Sequence, residues 1–157
     1  MRMIKTRKIA QIIHHSPTEA IWASKNTDLM TRSVLDDQVR GREIRRIFWD
    51  DTRISIALDC GQYLNIVAHS DGIGCSLADS PAAFNCTSEN TVLLEIDGNI
   101  IEWHRDDVAY KYVGKSLERL WFAENALFIY VSQSILACYI VERSDDGTPV
   151  LFWTESE

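Results

Sequence analysis

Gly41-Arg42-Glu43-Ile44-Arg45-Arg46-Ile47-Phe48-Trp49, followed by Ile54, Ile56 and Leu58, is answered 73 residues later by Gly114-Lys115-Ser116-Leu117-Glu118-Arg119-Leu120-Trp121-Phe122, followed by Leu127, Ile129 and Val131. Across the windows 41–58 and 114–131 three positions are identical and eight more are conservative replacements, with no gap. Ile54, Ile56 and Leu58 alternate with Ser55, Ala57 and Asp59, the period of two that gives a strand one buried face. Asp50-Asp51-Thr52 and Cys60-Gly61-Gln62 supply turns on either side, and Tyr63 to Ala68 returns as a third strand. The second copy reads the same way: Leu117 to Phe122, Ala126 to Ser132 and Ile135 to Arg143, with a last strand from Val150 to Thr154.

The expectation is therefore a mainly β fold with little helix, built from two tandem antiparallel β-meanders. A single domain is expected over residues 1–157, with repeat units 18–90 and 91–157. Any two meanders share alternating apolar residues, so duplication and coincidence both remain open. Between the meanders, Val92 to Ile96, Asp97-Gly98-Asn99 and Ile100 to Trp103 read as a hairpin, because Asp-Gly accepts the positive φ that a two-residue turn demands. At the same offset Ser24-Lys25-Asn26 falls on Asp97-Gly98-Asn99, flanked by possible short strands at Glu19 to Ala23 and Leu29 to Arg32.

Residues 4–13 fit a short N-terminal amphipathic helix through Ile4, Ile9, Ile12 and Ile13, although their β-branched content also suits a strand. His69 to Gly74 reads as a loop from its Ser, Asp and Gly residues. Ser80-Pro81-Ala82-Ala83-Phe84 reads as one helical turn with Ser80 as cap.

Net charge is −7. Residues 1–18 hold four basic side chains and no acid, so the rest carries −11 (−7 less +4). An acidic body opposes phosphate-backbone binding and favours a basic protein partner. No apolar run is long enough for a membrane span and no secretory core is visible, so a cytoplasmic protein with reduced Cys60, Cys75, Cys86 and Cys138 is expected.

Signatures of catalysis, metals or cofactors are missing. The four histidines (His14, His15, His69, His104) lack ligand spacing, and no nucleophile elbow or phosphate cradle occurs. The acid pairs Asp36-Asp37, Asp50-Asp51, Asp106-Asp107 and Asp145-Asp146 all read as turn residues between strands. The aromatics say more. In Phe48-Trp49 and in Trp121-Phe122 one ring must point away from whatever the other packs against. Phe128 and Tyr130 predict a second meander covered on both faces, whereas Ser55 and Ala57 give the first a small, polar second face.

A G-x-x-[IL]-x-x-[IL] entry to each meander (Gly41 to Ile47, Gly114 to Leu120) and the strand Asp146-Gly-x-x-Val-Leu-x-Trp153 in a small acidic chain resemble immunity proteins of bacterial polymorphic or contact-dependent toxins. The resemblance implies a cytoplasmic, non-enzymatic protein that blocks a basic toxin domain. The alternatives are a small-ligand binder using residues 69–90 and a self-assembling β module. Acids next to rings at strand ends nominate Trp49, Asp50, Asp51, Trp103, Asp106 and Asp107 as the protein-binding set.

Overall fold

The computed structural model describes residues 2–8, 35–69, 72–83, 89–123 and 126–156. Eleven strands are described: β1 (Arg2–Lys8), β2 (Ile44–Trp49), β3 (Arg53–Leu58), β4 (Tyr63–His69), β5 (Gly72–Ala78), β6 (Thr91–Ile96), β7 (Asn99–His104), β8 (Leu117–Ala123), β9 (Ala126–Val131), β10 (Ser134–Arg143) and β11 (Pro149–Ser156). Residues 35–39 are helical (α1), and α2 spans Arg105–Tyr112.

The expected β-rich fold is the observed one. The first meander is a four-stranded antiparallel sheet, β2-β3-β4-β5. The second lies in a seven-stranded sheet ordered β7-β6-β1-β10-β9-β8, with β11 also on β10. That sheet is mixed because β1 runs parallel to β6 and antiparallel to β10. Strands β4 and β5 lie against β9, β10 and β11. Ile54, Ile56, Leu64 and Ile66 thereby meet Leu127, Ile129, Leu136 and Trp153 in one continuous core, each no more than 1% exposed. Full burial of each aliphatic side chain stabilises the fold by about 1.5–3 kcal/mol.

The 73-residue repeat extends to the hydrogen-bond register. Every β2–β3 pair, from Ile44↔Leu58 to Trp49↔Ile54, has its β8–β9 counterpart, from Leu117↔Val131 to Phe122↔Leu127. Both ladders carry an irregularity at the equivalent place, Ile44/Arg46 and Leu117/Arg119. The units also clasp each other reciprocally. Gly41 N–H donates to Leu117 O and Gly114 N–H to Ile44 O, both at 2.7 Å; Ile44 N–H donates to Lys115 O and Leu117 N–H to Arg42 O, both at 2.8 Å. A local two-fold thus passes through the Glu43–Ser116 bridge. Gly41 (φ 80°) and Gly114 (φ 87°) adopt the left-handed conformation there, with open space around a would-be Cβ. Gly41→Ala and Gly114→Ala are therefore expected to cost about 1–2 kcal/mol each, from backbone conformation alone. Urea unfolding of the two variants should give matching losses.

Several expectations are corrected. Residues 2–8 form a strand instead of a short N-terminal helix, since Ile4 and Thr6 are buried while Met3, Lys5 and Arg7 are exposed; residues 9–13 lie outside the described residues, as do the strands expected around Ser24-Lys25-Asn26. The loop expected from His69 to Gly74 is a hairpin, with His69 paired to Gly72 and Val67 to Gly74. Buried Ile73 and Cys75 hold that glycine-containing strand in place against its weak local preference. Residues 80–83 form no helical turn. Ala82 and Ala83 donate their N–H groups to Ser55 Oγ at 2.9 Å, and Asn65 accepts from Ala82 N–H and donates to Ser80 O, both at 3.0 Å. The small polar face of the first meander is thus the seat of this segment.

The split aromatic pairs behave as their spacing demands. Trp49 and Phe122 are buried, while Phe48 lies under Arg46 (4.7 Å) and Trp121 under Arg119 (4.9 Å). Arg46 and Arg119 are again 73 residues apart. On the outer face of the second meander the half-buried rings shield one another: Phe128 meets Tyr139 at 5.9 Å, and Tyr139 meets Phe152 at 6.4 Å.

Candidate functional site

The nominated residues separate into two groups. Trp49 and Trp103 are only 3% and 2% exposed, so neither ring belongs to a binding surface. They flank Trp153 edge-on, at 5.7 and 5.9 Å, and Trp103 Nε1–H donates to Trp153 O at 2.8 Å. Alternation along β2 and β7 aims these rings inward, where large aromatic area is worth most.

Asp50 and Asp51 are also engaged internally. Asp50 accepts from Thr52 N–H (2.8 Å) and Arg53 Nε–H (2.8 Å), which closes the β2–β3 turn. Asp51 accepts from Arg105 at 2.6 Å and from both terminal nitrogens of Arg2 at 2.7 and 2.8 Å. Arg2 reaches on to Glu89 at 2.6 Å. The Arg105 side chain is fully buried and its guanidinium lies 4.2 Å from the Trp103 ring centre. Burial alone would push the Asp51 carboxyl up, but the hydrogen bonds from Arg2 and Arg105 outweigh it and hold it at about 2. Burial lowers the Arg105 pKa, and Asp51 opposes that shift. This is a charge node that fastens β1, the β2–β3 turn and α2 together.

Asp106 and Asp107 remain outward. They occupy the first turn of α2, where carboxylates complement the helix dipole, and not a turn between strands. Arg105, Ala109 and Tyr112 form the inward stripe of that helix, all at most 3% exposed. Asp106 and Tyr110, at i and i+4, share a flank about 100° round from that stripe, and Val113 follows at the C-terminal cap. Tyr110 is 75% exposed and Val113 is 42% exposed.

The strand before α2 continues the surface. Ile100 and Ile101 on β7 are 61% and 39% exposed, and the Glu102 and His104 side chains are also exposed. His104 approaches Thr91 Oγ1 at 3.2 Å through Nδ1 and Glu102 at 3.6 Å through Nε2. Of the five large hydrophobic residues exposed among the described residues, four fall between Ile100 and Val113. The fifth, Met3, stands in the cross-strand row Met3–Leu93–Glu102 of the same sheet. Along the chain these apolar side chains alternate with Glu102, Asp106 and Asp107, with Ile100 and Glu102 on one face of β7 and Ile101 on the other. Ile100, Ile101, Tyr110 and Val113 were not nominated from sequence; two adjacent isoleucines, which a strand must send to opposite faces, were the available signal.

Elsewhere, a groove of about 380 Å³ is bordered by Met3, Lys5, Arg143, Ser144 and Asp145. Cys75 and Cys138 are buried, and burial pushes the Cys138 thiol up to about 12. Among the described residues no three His, Cys, Asp or Glu side chains are grouped to hold a metal ion, and no helix is long and apolar enough to cross a membrane. No family model, no curated protein and no solved structure matches the chain.

Proposed function

We propose that this protein is an immunity-type binding protein, which neutralises a basic toxin domain by covering its active site with the β7–α2 surface. The observation that carries the reading is the concentration of exposed apolar side chains beside acids between Ile100 and Val113. Solvent-facing apolar area of this kind is kept where a partner covers it, and aromatic anchors such as Tyr110 are the side chains that contribute most at interfaces. The net charge of −7 draws a basic partner in and orients it. Cytoplasmic action and the absence of catalysis belong to the same proposal, as does the absence of a nucleic-acid ligand.

The test uses a toxin domain encoded next to this chain, co-expressed with it. Asp106→Lys, Asp107→Lys and Tyr110→Ala combined are expected to abolish growth protection, to slow association at least tenfold and to flatten its salt dependence. These side chains point outward, so the variant should lose no more than about 1–2 kcal/mol of stability, chiefly through the helix dipole. Unchanged protection and unchanged association kinetics would refute the assignment.

A further inference from the structure

β7 is the terminal strand of the seven-stranded sheet. Its hairpin partner fixes which main-chain groups face outward. Asp97 (φ 51°) and Gly98 (φ 87°) form the two-residue turn, so the flanking pair Ile96↔Asn99 exchanges both hydrogen bonds and the pattern alternates from there. Asn99, Ile101 and Trp103 turn their N–H and C=O groups toward β6. Ile100, Glu102 and His104 turn theirs away from the sheet. Arg105 N–H, which donates to Asn90 O at 2.8 Å, is in phase with this alternation. Among the described residues no strand lies on the outer side of β7.

Native edges are protected by bulges, proline or outward charge. Another edge of the sheet, β8, has its irregularity at Leu117/Arg119 and exposes both Glu118 and Arg119. β7 pairs in continuous register with β6, contains no proline or lysine, exposes isoleucine on each face and carries a single outward carboxylate, Glu102. An edge this open is a template for strand addition.

We infer that the partner of the β7–α2 surface docks by adding an extended segment to the outer edge of β7, which no strand covers among the described residues; this rests on the binding role proposed above. The segment alternates basic and apolar residues. On the sheet face that carries Ile100, Glu102 and His104, the edge carboxylate is Glu102, while Glu95 one row on already has Lys5 as its cross-strand neighbour; Glu102 suits Lys or Arg. On the other face Ile101 is flanked by buried Trp103, which suits an apolar side chain. A second copy of this chain is the poorer occupant. Antiparallel pairing of β7 with itself would set Asp97 of one copy beside Asp106 and Asp107 of the other, within a pair of molecules that each carry −7.

The probe is a capped eight-residue peptide of alternating Lys and Val, added to the full-length protein, with its Glu/Val counterpart as control. Amide hydrogen exchange is the readout. The expected result is protection of at least tenfold at the amides of Ile100, Glu102 and His104, with Ile101 and Trp103 already protected in the free protein, and none with the acidic peptide. Glu102→Pro removes only an outward N–H, the position where an edge strand tolerates proline, and should weaken binding at least tenfold while the near-ultraviolet signal of the tryptophan cluster persists. If that variant does not fold, the exchange pattern of the wild type still decides. Peptide binding that perturbs Asp106, Asp107 and Tyr110 while those three amides keep exchanging freely would overturn strand addition and spare the surface. No binding anywhere between Ile100 and Val113 would overturn both. Concentration-dependent protection of the same amides without peptide would make a second copy the occupant and sink the foreign strand.

Discussion

An Asp51→Ala variant is expected to lose about 3–5 kcal/mol of folding stability, because it removes a carboxylate partner of a fully buried guanidinium. Arg105 lies under Trp103 with Asp51 as its carboxylate partner at 2.6 Å, and Arg2 loses the same anchor. Loss of contacts and loss of charge compensation are separable. Adding Arg105→Met to Asp51→Ala removes the buried charge and should recover more than half of the loss, as replacement of buried ion pairs by apolar groups commonly does. Urea unfolding followed by tryptophan fluorescence measures both; a single variant within about 1 kcal/mol of the wild type would contradict the structural role. The node also sets an acid limit. The Asp51 pKa falls from 3.8 in the unfolded chain to about 2 in the fold, so its contribution is present above pH 4 and disappears as the pH drops toward 2. The size is roughly 2 kcal/mol, and the Asp51→Ala variant should lack that part of the acid transition.

Trp153→Ala is the second large effect, about 3–5 kcal/mol. Trp153 is fully buried, meets Trp49 and Trp103 edge-on, and belongs to β11, the strand that lies against β4 of the other sheet. Truncation leaves a cavity where the two sheets meet, which the surrounding strands can only partly fill. Trp153→Phe keeps an aromatic ring and should lose less than half as much. Equilibrium unfolding distinguishes these outcomes, and equal losses for Ala and Phe would mean that the ring contacts contribute little.

Much of this architecture was readable from residue patterns. The alternation of Ile54, Ile56 and Leu58, the Asp97-Gly98 turn and the echo of 41–58 in 114–131 reached the correct strands because local preference and burial agree there. Helix α2 escaped for a physical reason. Its inward stripe contains Arg105 beside Ala109 and Tyr112, and its exposed residues mix Tyr110 with Asp107 and Lys111, so no amphipathic period marks it. The same even mixture hid the candidate surface. Trp49 and Trp103 looked like contact residues beside acids, but strand alternation aims them inward, and Asp51 is consumed by two arginines brought from 49 and 54 residues away. Pairings of that separation leave no trace in a local pattern. Ile73 shows the opposite: the glycines on either side of it read as a loop, and packing across the sheets makes a strand.

The reciprocal clasp at Gly41 and Gly114 bears on how the molecule reaches its final form. Each meander is stitched by near neighbours in the chain and can assemble early, at small entropic cost. The bonds that end α1 and α2 against the opposite unit span seventy residues or more, so neither half supplies its own finish. Completion waits on an encounter between two preassembled ribbons, and interruption of the chain between them would turn a unimolecular step into a concentration-dependent one.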